Sequence, residues 1–159
     1  MREAAFNVQA LDQIDQALGG ILRHGARGSL KMAQQVGEQG GFGLNASAFP
    51  ILSELAASAL RPSELADLTG SGRPTTSRQV QYLERQGLVR RAQDEADRRG
   101  SVLELTSRGR KIAEMSVEVR RAELQRLLAG WPEEEVLSLA RLLTRLVHDM
   151  QHRVFGASE

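Results

Sequence analysis

Arg61-Pro62-Ser63-Glu64-Leu65-Ala66-Asp67-Leu68, then Thr69-Gly70-Ser71-Gly72, then the run from Pro74 to Gln86 closed by Gly87: these stretches decide the fold. The first predicts a short helix. Proline stands at its first position, where a missing N–H costs nothing, and acids stand in its first turns, where the helix dipole favours negative charge. Thr69 to Gly72 reads as a turn. The run from Pro74 reads as a second helix, and Gly87 as its stop, because glycine adopts the left-handed conformation that ends helices. Short helix, glycine-containing turn and second helix make a helix-turn-helix.

Beyond Gly87 the period changes. Leu88 to Ala92 is a short strand candidate, Gln93 to Gly100 is polar and turn-like, and Ser101-Val102-Leu103-Glu104-Leu105 alternates apolar and polar residues. Two short strands around a charged loop make a hairpin, or wing. Thr106 is a good N-cap for a long helix reaching about Ala129, with Ile112, Met115, Val119 and Leu127 on one side. Gly130-Trp131-Pro132 breaks it. Pro132-Glu133-Glu134-Glu135 opens a last helix whose stripe is Val136, Leu139, Leu142, Leu143, Leu146, Val147 and Met150. Upstream, Val8 to about Gln35 reads as a long helix with Leu11, Ile14, Leu18, Ile21 and Leu22 at three- and four-residue steps. Gly37, Gly40, Gly41 and Gly43 read as a flexible connection, and Ala46 to Ser58 as a helix with Pro50 in its first turn. The fold class is mainly α with a small β-hairpin wing.

Of 159 residues, 41% are hydrophobic and only 4% aromatic, so aliphatic side chains carry the packing. With no cysteine, disulfides, thiolate metal sites and cysteine redox switches are excluded. The N-terminus lacks the apolar run of a signal peptide, and no stretch suffices to span a bilayer, so a cytoplasmic location is expected. The net charge of +1 names no partner, but its distribution does more. Ser71 to Lys111 holds ten basic residues against five acidic, so that window carries +5 and the remainder −4. A polyanion-binding element in a larger scaffold has this distribution, and so does a solvated charged surface.

Rotating the second helix by about 100° per residue puts Val80 and Leu83 on a core face. Thr75, Arg78, Tyr82 and Arg85 fall opposite, with Ser77 and Gln81 on one flank and Gln79 on the other. Arginine pairs bidentately with guanine, glutamine with adenine, and hydroxyls with bases or phosphates, so this surface suits a major groove. In the wing loop, Asp97, Arg98 and Arg99 supply a cation for a narrow minor groove and a carboxylate to orient it.

Arg61 to Thr106 resembles the winged helix-turn-helix of the multiple antibiotic resistance regulator (MarR) family. Three stretches carry the likeness: Ser63-Glu64-Leu65-Ala66 leading to Pro74-Thr75-Thr76-Ser77-Arg78-Gln79-Val80; Leu83-Glu84-Arg85-Gln86-Gly87-Leu88-Val89-Arg90-Arg91; and Asp97-Arg98-Arg99 followed by Leu105-Thr106 and Gly109. The resemblance implies a single domain over 1–159, divided into an N-terminal dimerisation helix and linker (1–45), the winged helix-turn-helix (46–106) and C-terminal dimerisation helices (107–159). It implies a homodimer acting as a ligand-responsive repressor on a pseudo-palindromic operator. Double-stranded DNA would be read by Arg73, Thr75, Ser77, Arg78, Gln79, Gln81 and Tyr82, and by the wing residues Asp97, Arg98 and Arg99. Gly72, Arg61 and Trp131 depart from the expected helix caps; glycine is an acceptable cap, and the other two are poor ones.

Relatives of this kind bind a small anionic or aromatic effector between helical region and winged domain. The matching positions here are Leu22, Arg23, His24, Arg27, Phe49 and Met115. His148 and His152 lie four apart on the last helix, but no cysteine or carboxylate completes a metal site, so neither metal nor cofactor is expected. No phosphate loop or nucleophile–base spacing points to an enzyme. The competing readings are a non-specific architectural DNA-binding protein and a helical interaction module that no longer binds DNA.

Overall fold

Two glycines with positive φ bound the central helices: Gly70 at 62° and Gly87 at 66°. The structure, a computed structural model, describes residues 7–40, 45–94, 97 and 100–155. Its elements are α1 (Val8–Gly40), α2 (Ala48–Ala57), α3 (Pro62–Thr69), α4 (Arg73–Arg85), β1 (Val89–Gln93), β2 (Ser101–Leu105), α5 (Ser107–Leu127) and α6 (Glu133–Phe155). The chain divides into two units, Met1–Val119 and Arg120–Glu159.

In the first unit, α2, α3 and α4 enclose a core of aliphatic side chains. Phe49, Ile51, Leu52 and Leu55 enter from α2, Leu65 from α3, and Val80 and Leu83 from α4. Pro50 is the third residue of α2, where no helical hydrogen bond is lost. That helix starts at Ala48 rather than Ala46 because Asn45 closes a turn first. Its carbonyl accepts the Ala48 N–H at 2.9 Å and its side chain accepts the Ser47 N–H at 3.1 Å.

The end of α4 is a Schellman motif. The Leu88 N–H donates to the Leu83 carbonyl and the Gly87 N–H to that of Glu84, both at 3.0 Å, and Leu83 and Leu88 are fully buried. The chain then enters the hairpin, whose register pairs Val89 with Leu105 and Gln93 with Ser101. Val89, Leu103 and Leu105 face the core. A third, one-residue strand joins them at Leu60. Its N–H donates to the Leu103 carbonyl at 3.1 Å, and its carbonyl accepts the Leu103 N–H at 2.8 Å.

Thr106 fastens α5 to this corner. Its hydroxyl donates to the Gly87 carbonyl at 2.7 Å and accepts the Gly109 N–H at 3.0 Å; its own N–H donates to the Leu88 carbonyl at 3.0 Å. From α5, Ile112, Ala113 and Ser116 are buried, with Met115 and Val119 packed against the core.

Helix α1 runs through Gly37 to Gly40, past the predicted end near Gln35. Ala33, Val36 and Gly37 are buried, and burial of that face outweighs the roughly 1 kcal/mol that each helical glycine costs. Gly41 and Gly43 lie outside the described residues. The amphipathic stripe towards the start of α1 stays uncovered: Leu11, Ile14, Leu18, Ile21 and Leu22 are all exposed. The other bounds shift from expectation by one or two residues, as terminal turns do.

In the second unit, Pro132 caps α6, its carbonyl accepting the Glu135 and Val136 N–H groups at 3.0 and 3.2 Å. Leu142, Leu143, Leu146, Val147 and Met150 form an exposed apolar stripe along it, and Trp131 and Leu127 are also exposed. No described helix is long and apolar enough to cross a membrane.

A Cβ on Gly109 would overlap the Leu88 carbonyl. Gly109→Ala therefore lowers stability by about 2 kcal/mol or more through overpacking, measured as a fall in the urea midpoint. Gly130→Ala, where a Cβ meets nothing within 4 Å, is the control.

Candidate nucleic-acid interface

Helix α4 buries only Thr76, Val80 and Leu83. The Thr76 hydroxyl donates to the Ser71 carbonyl at 3.1 Å, which locks the turn between α3 and α4 onto the first turn of α4. The rest of the helix is exposed or half-buried. Thr75, Ser77, Arg78 and Gln81 are exposed, as the rotation about the helix axis predicts, and Arg73 is exposed as well. Two members of the expected set differ. Tyr82 is half-buried and packs against the core. Gln79 is half-buried, and its Oε1 is buried without a hydrogen-bond partner. Both sit where the polar flank of α4 meets the core, a boundary that a rotation angle alone does not resolve.

The hairpin carries the second group. Asp97 is exposed; Arg98 and Arg99 lie outside the described residues. The root of the wing is defined by the Asp94 N–H donating to the Gly100 carbonyl at 3.2 Å, and the Gly100 N–H donating to the Asp97 carbonyl at 2.8 Å.

Three ion pairs brace this face. Arg61 reaches from the start of α3 to Asp94, with Nη2 at 2.6 Å and Nε at 2.7 Å from Oδ2. Arg91 Nε on β1 lies 2.9 Å from Glu84 Oε1 on α4. Arg90 Nη2 lies 2.6 Å from Oε1 of its cross-strand partner Glu104. The hydrogen bond and charge of Asp94 raise the Arg61 pKa above its ordinary value. Arg61 also resolves its own oddity as a cap: its backbone N–H donates to Glu64 Oε2 at 2.7 Å, so the helix start is closed by Glu64 and the side chain is free to serve the wing.

Between α4 and the wing root lies a cleft of about 510 Å³, lined in part by Arg61, Arg73, Ser77, Arg91, Asp97 and Ser101. None of the six residues expected around an effector lines it. Phe49 is core and Met115 packs against it, while Leu22, Arg23, His24 and Arg27 are exposed on α1. His148 and His152 do meet, Nε2 to Nε2 at 3.0 Å, but among the described residues no cluster of three or more potential ligands could hold a metal. Sequence reasoning missed Arg61 and Arg91 as members of this face. Each is fixed by a distant carboxylate, a pairing with no local signal.

A two-helix motif with an exposed polar second helix, followed by a hairpin braced to it, defines the class: a winged helix-turn-helix. Residues 42–100 match the MarR family. A MarR family protein from Bacillus stearothermophilus is 24% identical, with 92% of this chain and 99% of that one covered at a TM-score of 0.72. The transcriptional regulator BldR from Sulfolobus solfataricus is 26% identical, covering 85% and 97%, at 0.64. MepR from S. aureus, solved bound to ethidium bromide, is 26% identical, covering 84% and 96%, at 0.56. None of the curated proteins matches the chain. The likeness to the MarR family thus covers the central segment by family model, and the chain shares the fold of these solved structures over most of its length.

Arg61→Ala removes the tie between α3 and the wing root, while the Leu60–Leu103 pairing below it remains. Amide hydrogen exchange at Asp94 is expected to accelerate, with that at Leu103 unchanged. Equal protection at Asp94 in both proteins would refute the bracing role.

Proposed function

We propose that the protein is a homodimeric, sequence-specific regulator of transcription, a ligand-responsive repressor that binds a pseudo-palindromic double-stranded operator from the cytoplasm. The observation that carries this reading is the exposed face of α4. Arg78, Thr75, Ser77 and Gln81 present a fork of donors, hydroxyls and an amide beside a braced wing, groups suited to base edges in the major groove. Asp97, Arg98 and Arg99 at the wing are assigned to the adjacent minor groove. Arg73 and Gln79 complete the set, and Tyr82 contributes through its exposed part.

Dimerisation is supported by the uncovered apolar stripes of α1 and α6, which a monomer in water would not ordinarily leave exposed. In this assignment 1–45 and 107–159 flank the DNA-binding part 46–106 as dimerisation segments. The effector is a small aromatic or anionic compound. Leu22, Arg23, His24, Arg27, Phe49 and Met115 are the proposed lining, built from more than one surface, and the ethidium bound to MepR favours an aromatic ligand.

In vitro selection from random duplexes tests the core of this reading. The expected product is a two-fold repeat with half-sites about one helical turn apart, roughly 34 Å. Enrichment of no sequence, with strongly salt-dependent binding to every duplex, would instead establish the architectural alternative. Arg78→Ala is expected to cost about 1–3 kcal/mol of binding and to relax the preference at one base pair; Arg99→Ala weakens all duplexes alike. Analytical ultracentrifugation is expected to give twice the chain mass of 17.5 kDa, and Leu146→Glu, on the α6 stripe, a monomer.

A further inference from the structure

We propose that the cleft between α4 and the wing root seats the phosphodiester backbone that separates the two grooves, with Arg73 and Arg91 as its charged contacts. This rests on the reading of the protein as a DNA binder. A helix in the major groove and a hairpin tip in the neighbouring minor groove stand on opposite sides of one DNA strand. That strand must cross the space between them. In this protein the space is the 510 Å³ cleft.

Its lining has the chemistry of a phosphate seat. Three separate elements each place one guanidinium there: Arg61 at the start of α3, Arg73 on α4 and Arg91 on β1. Hydroxyls of Ser77 and Ser101 line the same cleft, and among the described residues Asp97 is the one carboxylate in its lining. Two of the three cations are held in place beforehand, Arg61 by Asp94 and Arg91 by Glu84. Each remains about half exposed, at 44% and 48%. A guanidinium has five N–H donors, so the Arg91 Nε bond to Glu84 leaves both terminal nitrogens for a phosphate. Bracing removes much of the side-chain entropy that a flexible arginine would lose on contact. Among the described residues Arg73 forms no ion pair, and it is exposed, so its charge is available in full. Arg61 sets the width of the cleft, because its pair with Asp94 joins the α3 wall to the wing wall.

The test uses the full chain and the selected operator, with a scrambled duplex of equal length, over about 50–200 mM salt. Arg73→Gln and Arg91→Gln are each expected to reduce the slope of log K against log salt by about one, and to weaken both duplexes by the same factor, on the order of threefold per contact. A single neutral methylphosphonate is then walked along each strand. At the backbone position between the grooves, wild-type protein is expected to lose the same few-fold, and Arg73→Gln to lose nothing further. Additive losses at every position, or an unchanged salt slope in both variants, would overturn the cleft assignment while leaving the regulator reading intact. Wild-type protein that binds no duplex would overturn both. Arg126→Gln, whose native partner is Glu123 on α5, is the control with unchanged slope.

Discussion

The contact between Gly109 and the Leu88 backbone holds the rest of the first unit in register. Leu88 ends the Schellman turn of α4, opens the hairpin and receives the first turn of α5, so three elements meet at one peptide. A side chain at position 109 would occupy the space of the Leu88 carbonyl. Thr106 completes the corner by bonding Gly87 and Leu88 on one side and Gly109 on the other. Backbone groups at a helix C-terminus need partners once buried. Here they find them in the element that follows the wing, so the end of α4 and the start of α5 satisfy each other. The angle of α4 to the hairpin is set at this corner.

From there the ion pairs act as struts. Arg61–Asp94 spans 33 residues of chain, and Arg91–Glu84 spans the turn at Gly87. The more exposed of the two, Arg91–Glu84, adds little to global stability. The value of both pairs here is directional. Arg91–Glu84 joins the hairpin to α4, Arg61–Asp94 joins it to the start of α3, and each guanidinium stays about half exposed. The Leu60–Leu103 bridge beneath them supplies the backbone hydrogen bonds that keep the hairpin from rocking.

Much of this was legible in the sequence. Gly87 as a stop, Val80 and Leu83 as the core face of α4, Thr106 as a cap and the order of all eight elements follow from local rules, and local rules are strongest where glycine, proline and periodicity coincide. What was not legible is long-range. Arg61 reads as a poor cap because its role depends on Asp94, which only the fold brings near. Leu60 carries no mark of a one-residue strand. The glycines after Gln35 read as a break in α1, yet burial of Val36 and Gly37 decided otherwise. The rotation angle alone puts Tyr82 and Gln79 on the polar side, whereas the core extends to meet them. The six effector positions follow from resemblance alone, and a single chain leaves four of them exposed.

The division of labour within α4 explains how such a scaffold can serve different DNA sequences. Thirteen residues form the helix and three are buried. Its ends are fixed from outside: by Gly72 and the Thr76–Ser71 bond at one, by the Gly87 Schellman motif at the other. A helix so capped and anchored does not depend on its outward residues for its existence, since tertiary packing and caps supply most helical stability. Thr75, Ser77, Arg78 and Gln81 are exposed and free of structural duty, so in the proposed DNA-reading role substitution there would change what is read with little change in what folds. Arg73 and Arg91 have the opposite character. A phosphate is the same at every base pair, so the contacts proposed for the cleft would add affinity and fix register but carry no sequence information. The two kinds of residue lie on adjoining surfaces, and the Gly109–Leu88 corner determines the angle between them.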